Sequence, residues 1–197
     1  MAELFAILSG AVVIVGGPPY LIDILKRKTK PQRTTWFIWS VQGVIAFGSQ
    51  VGLGAHWSLV FAGMNAAGNL AVFLLSLHYG VGGGWRRLDI AALVIACVGL
   101  AVSLIIKAPL IALLGVIVAD FAGLVPTLRK TFLIPKSETT ITWLALGTSS
   151  LLAIFSVGSW RFSLLLYPLY LAIANYAVLA AQGFGVLTSR TKRKASV

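Results

Sequence analysis

The side chains able to do chemistry that lie deep in the long apolar runs of this sequence include one carboxylate, Asp120, and three asparagines, Asn65, Asn69 and Asn175. A charged carboxylate in hydrocarbon is expensive, so an acid at that depth is expected to face the interior and to act, here as a proton-coupling group. The amides offer donors and acceptors to a neutral polar solute, or hold neighbouring helices together by hydrogen bonds. Trp39 and Tyr170 would add flat apolar walls to a small-molecule site. No nucleophile and base pair, phosphate-binding glycine loop or metal-ligand spacing accompanies them. His56 and His78 fall at helix ends expected on opposite faces of a membrane, and Cys97 has no second cysteine to pair with. The reading is a binding site with no catalytic residues, no metal and no cofactor, and the chain is not expected to be an enzyme. Gln42, Ser49, Gln50, Ser149, Ser150 and Ser156 supply further polar groups without a distinguishing pattern.

The elements that must position these groups follow from composition. The 197 residues are 58% hydrophobic and 11% charged, and the mean hydropathy is +0.93, values expected of an integral membrane protein and not of a water-soluble domain. About 20 apolar residues cross a hydrocarbon core, so seven helices fit. The runs place them at residues 4–25, 34–53, 57–79, 88–106, 108–128, 139–157 and 160–183. The first is expected to be a retained helix, since it lacks a basic leader and a cleavage pattern. The net charge of +11 is distributed by side: Lys26, Arg27, Lys28, Lys30, Arg33, Arg86, Arg87, Arg129, Lys130, Lys136, Arg190, Lys192, Arg193 and Lys194 fall at one face, and Lys107 and Arg161 at the other. Cations gather in cytoplasmic loops, so the N-terminus is expected outside and the C-terminus inside, in the plasma or inner membrane. Nucleic acid is not an expected partner, because the cations sit in loops without a groove-reading motif.

An internal repeat organises the helices. Pro19, Leu21, Thr35 and Trp36 recur as Pro126, Leu128, Thr142 and Trp143 at one constant spacing. Three helices (residues 1–85), a linker helix (86–107) and three more (108–187) precede a basic tail (188–197). A single linker helix returns the chain to its starting orientation, so the two triplets form parallel repeats, with Pro19 and Pro126 as hinges. Trp36 and Trp143 are expected to anchor at the membrane interface.

This three-one-three order, with a proline near the cytoplasmic end of the first helix of each triplet, resembles the PQ-loop and SWEET superfamily of small-solute transporters. Asn65-Ala66-Ala67-Gly68 with Tyr79 at the helix end is similar to the third SWEET helix. Lys136-Ser137-Glu138 is similar to the loop opening the sixth, and Asp120-Phe121-Ala122-Gly123 to proton-coupled PQ-loop carriers. The only Pro-Gln pair, Pro31-Gln32, lies in a loop and not at a kink. The resemblance implies transport by alternating access of a small polar solute of sugar, amino-acid or vitamin size, in the lipid bilayer, and is compatible with a homo-oligomer. A receptor or trafficking adaptor on the same scaffold is the competing reading. A retinal photoreceptor is excluded, because the seventh expected helix has no lysine for a Schiff base.

Overall fold

The computed structural model describes residues 1–52, 57–84, 86–106, 108–158 and 160–195. Its elements are α1 (Ala2–Gly16), α2 (Pro18–Leu25), α3 (Arg33–Gly52), α4 (Trp57–Tyr79), α5 (Arg87–Ile105), α6 (Pro109–Leu133), a 3-10 turn (Pro135–Ser137), α7 (Thr140–Ser156) and α8 (Phe162–Ala195). Since α1 and α2 make one span, Ala2–Leu25, the described residues form seven helical segments. Among the described residues four of these are long and apolar enough to cross a membrane: Ala2–Leu25, Arg87–Ile105, Pro109–Leu133 and Phe162–Ser189. His56 and Lys107 lie outside the described residues.

The break between α1 and α2 has a backbone cause. Pro18 and Pro19 carry no N–H, so two successive helical donors are missing, although Gly17 itself keeps helical angles (φ −71°, ψ −52°). The Tyr20 N–H bonds the Gly17 carbonyl at 3.0 Å instead of reaching back to Gly16. The carbonyl of Gly16 is thereby released, and Thr142 Oγ1 donates to it at 2.8 Å.

A matching bond occurs in α6, which carries Pro126 in its interior and runs on through it. Thr35 Oγ1 donates to the carbonyl of Gly123, three residues before that proline, at 2.5 Å. Thr142 stands 107 positions after Thr35, and Gly123 stands 107 positions after Gly16. The packing around these bonds also corresponds: a Cβ added to Gly16 would overlap Ala145 Cβ, and one added to Gly123 would lie 3.2 Å from Ile38 Cγ2, Ile38 and Ala145 again being 107 apart.

Two helices run further than their apolar stretches suggest. α6 continues to Leu133 through Arg129 and Lys130, which the sequence places in a turn, because losing one donor at Pro126 bends a helix without ending it. α8 spans 34 residues to Ala195, carrying the basic stretch from Arg190 onward as helix. At 1.5 Å per residue that is about 51 Å, well beyond a hydrocarbon core of about 30 Å.

Burial is inverted relative to a water-soluble domain. Thr29, Thr35, Ser76, Thr127 and Thr131 are fully enclosed, while Ile7, Val15, Leu104, Ile105, Phe184 and Leu187 point outward. Small residues make the close helix contacts: Gly99 and Gly115 bring α5 and α6 so near that a Cβ on either would lie 2.5 Å from the other's carbonyl oxygen.

The chain divides into two compact units, Met1–Thr29 with Leu128–Val197, and Lys30–Thr127. The first packs α1 on α7 and α7 on α8, and the second packs α3 on α4. The units therefore cut across the three-helix groups read from chain order, taking α1 and α2 from the first and part of α6 from the second.

Candidate functional site

In the unit formed by Lys30–Thr127, α3 is the hub. Trp39 Nε1 donates to the backbone carbonyl of Asp120 on α6 at 3.4 Å, and Gln42 Nε2 to that of Val116 at 3.2 Å. On the other side Asn69 Nδ2 donates to the Trp39 carbonyl at 3.2 Å and to Asn65 Oδ1 at 3.0 Å. A carbonyl can only accept, so the first of these bonds fixes which end of the Asn69 amide faces α3. The second then fixes Asn65, whose Oδ1 is turned to Asn69 and whose Nδ2 faces away.

Asn65 shares a stripe of α4 with Val72 and Ser76, seven and eleven residues on, and those two are buried at 5% and 0%. Asn65 itself is exposed, so this stripe is sealed toward one end and open at Asn65. Asp120 is buried at 9% and Trp39 is half-buried.

In the other unit Asn175 is buried, and its Nδ2 donates to the Leu171 carbonyl of its own helix at 2.7 Å. Tyr170 stacks near Tyr167, with ring centroids 6.4 Å apart. The expected site residues thus separate into Trp39, Asn65, Asn69 and Asp120 in one unit and Tyr170 and Asn175 in the other. Pro19 occupies the start of α2. Among the polar side chains without a sequence pattern, Ser149 forms a reciprocal pair with Ser9 on α1: each hydroxyl bonds the other's carbonyl at 3.0 Å.

Sequence reasoning missed a second set of polar groups, at the basic end. Gln32 caps α3, its Oε1 accepting the Thr34 N–H at 2.6 Å, while its Nε2 and the Thr34 hydroxyl donate to buried Asp89 at 2.8 and 2.9 Å. Arg33 caps the far end of α4, donating to the carbonyls of Ser76 at 2.9 Å and Gly82 at 3.1 Å. Gly82 (φ +73°) lies against the Gln32 side chain, which requires its glycine. In the other unit Lys130 pairs with Glu138, both buried, and Trp143 Nε1 donates to the second Glu138 oxygen at 2.7 Å. Trp143 and Trp36 are buried at 2% and 7%, which corrects the expectation of interfacial anchors: they are interior groups. The available signal was the scarcity of acids: of five in the chain, Asp23, Asp89 and Glu138 lie among the cations.

Comparison with protein-family models, curated proteins and solved structures gives no match. Fold and burial define a class: among the described residues the chain is helical, many large apolar side chains are exposed and many polar ones are buried, as fits a membrane protein.

Proposed function

We propose that this chain is a multi-pass membrane transporter that moves a small polar solute by alternating access, a divergent relative of the PQ-loop and SWEET superfamily, with its N-terminus outside and its C-terminus in the cytoplasm. The observation that carries the reading is the recurrence, at one spacing of 107 residues, of a threonine hydroxyl bonded to the carbonyl that precedes a helix-disrupting proline. A proline-bearing helix in each half is what a rocking transporter needs, because the proline lets the helix bend while a neighbouring hydroxyl satisfies a nearby carbonyl. In this reading the halves are parallel three-helix repeats joined by α5, and Pro19 and Pro126 are the hinges.

In this reading the solute is bound by Asn65 and Asn175, which offer hydrogen-bonding groups, and by Trp39 and Tyr170, which offer flat apolar walls, while Asn69 orients Asn65 and Asp120 couples the movement to protons. The experiment is uptake into liposomes from a panel of sugars, amino acids and vitamins under an imposed pH gradient. Flux that saturates is expected. Asn65→Ala should lower apparent affinity by about tenfold to a hundredfold, the equivalent of about 1–3 kcal/mol for a lost buried partner. Asp120→Asn should abolish the pH dependence while leaving exchange. Saturable binding without flux would replace the transporter with the receptor reading.

A further inference from the structure

At the basic end of the unit formed by Met1–Thr29 and Leu128–Val197, the acids are turned inward and the bases outward. Glu138 is buried on Lys130 and Trp143, and Asp23 accepts from the Thr139 hydroxyl at 3.0 Å. Lys26, Lys28, Arg129 and Lys136 are exposed. The turn after α2 is fixed in itself and to the start of α7. α2 ends in a Schellman motif, the Arg27 N–H on the Ile24 carbonyl at 2.9 Å and the Lys28 N–H on that of Asp23 at 2.8 Å, with Arg27 left-handed at φ 59°. Thr29 Oγ1 then meets Thr139 Oγ1 at 2.5 Å, tying this turn to the start of α7 beside Lys136.

Outward-facing apolar residues stand among the cations: Leu25 at 56% exposure ahead of Lys26, and Leu133 at 59% and Ile134 at 46% between Arg129 and Lys136. Exposed cations interleaved with an exposed apolar shoulder complement one kind of molecule, a phosphate attached to hydrocarbon. We propose that this corner binds an anionic phospholipid of the leaflet it adjoins. The ammonium groups of Lys28 and Lys136 and the Arg129 guanidinium donate to the headgroup phosphate, and the acyl chains lie against Leu25, Leu133 and Ile134. A nucleic acid or an acidic peptide would leave the apolar shoulder uncovered. The inference rests on the membrane-spanning reading of the helices and is independent of transport.

The test is thermal unfolding of the purified full chain in mild detergent with added phosphatidylglycerol, phosphatidylcholine or soluble glycerol phosphate. Phosphatidylglycerol is expected to raise Tm by about 5 °C more than phosphatidylcholine, and about 0.5 M salt to remove most of that difference. Lys28→Gln with Arg129→Gln and Lys136→Gln should lose more than half of it. Equal shifts with phosphatidylcholine, an equal shift with glycerol phosphate, or a triple variant that keeps the full shift would each overturn the proposal. Should the triple variant not fold, spin-labelled phosphatidylglycerol on the unaltered chain decides: association about threefold above phosphatidylcholine, weakened by salt, supports the site, and equal association overturns it. Failed liposome flux leaves these outcomes unchanged, so the two readings fall separately.

Discussion

The two basic-end corners have the same backbone skeleton and opposite polar chemistry. In each, a threonine at the start of a helix fills a carbonyl near a proline, and a tryptophan follows it into the interior. Below that level the unit containing α3 closes with a hydrogen-bonded amide, Gln32, on Asp89, whereas the unit containing α7 closes with a buried ion pair, Lys130 on Glu138. The two corners separate a demand fixed by the backbone from one that is free. In both, the carbonyl three residues before a proline accepts from a threonine hydroxyl, so the threonine recurs. The corner below can be satisfied by any complementary set, so its residues diverge.

The largest expected effect tests that difference in chemistry. Lys130→Met leaves Glu138 buried with only the indole N–H of Trp143, and should destabilise the protein by about 3–5 kcal/mol, most of it recovered by adding Glu138→Leu. Gln32→Ala, the corresponding cut in the other unit, removes a neutral donor and a helix cap and should cost about 1–2 kcal/mol. Chemical unfolding in detergent measures both, and equal losses would mean that the two corners are closed in energetically equivalent ways.

A smaller contrast sharpens the comparison of the helix crossings. Gly16→Ala places a methyl group into Ala145 and forces α1 away from α7, at about 1–3 kcal/mol. Gly123→Ala meets its neighbours at 3.2 Å and beyond and should cost less than about 1 kcal/mol, since the Ile38 side chain can shift. A larger loss at Gly123 would reverse the order of tightness. The smallest effect is a gain: Arg27→Gly removes the strain of a left-handed side chain in the Schellman turn and should stabilise by about 0.5–1 kcal/mol in the same assay. A loss there would show that the Arg27 side chain contributes more than its backbone costs.

Much of the helix layout was legible because hydrocarbon imposes uniform apolar runs, and the disruption before Tyr20 was legible because adjacent prolines remove donors in any surroundings. Helix ends were not. Arg129 and Lys130 read as a turn and the stretch from Arg190 as a tail because charge leaves hydrocarbon, yet a helix satisfies its own backbone equally well in water, so α6 and α8 continue. Trp36 and Trp143 read as interfacial because of their position in the chain, whereas which way an indole points depends on its neighbours: Glu138 for Trp143, and the Trp39 ring, at 5.1 Å and nearly perpendicular, for Trp36. For the candidate site, the sequence identified Asn65 and Asn69 as one turn apart but not their order of command, in which the Trp39 carbonyl orients Asn69 and Asn69 orients Asn65. That order is set between helices.

The division of the chain also carries a consequence for biogenesis. Lys30–Thr127 is one uninterrupted stretch, whereas the other unit needs Met1–Thr29 together with everything from Leu128 onward. During synthesis the uninterrupted stretch can complete its packing while the ribosome is still making α7. The first span, with Ser9 and the released Gly16 carbonyl awaiting Ser149 and Thr142, must meanwhile remain in the bilayer without its native partners. Interval-resolved crosslinking of stalled nascent chains should therefore find α3 against α4 early, and α1 against α7 only after α7 has cleared the translocon.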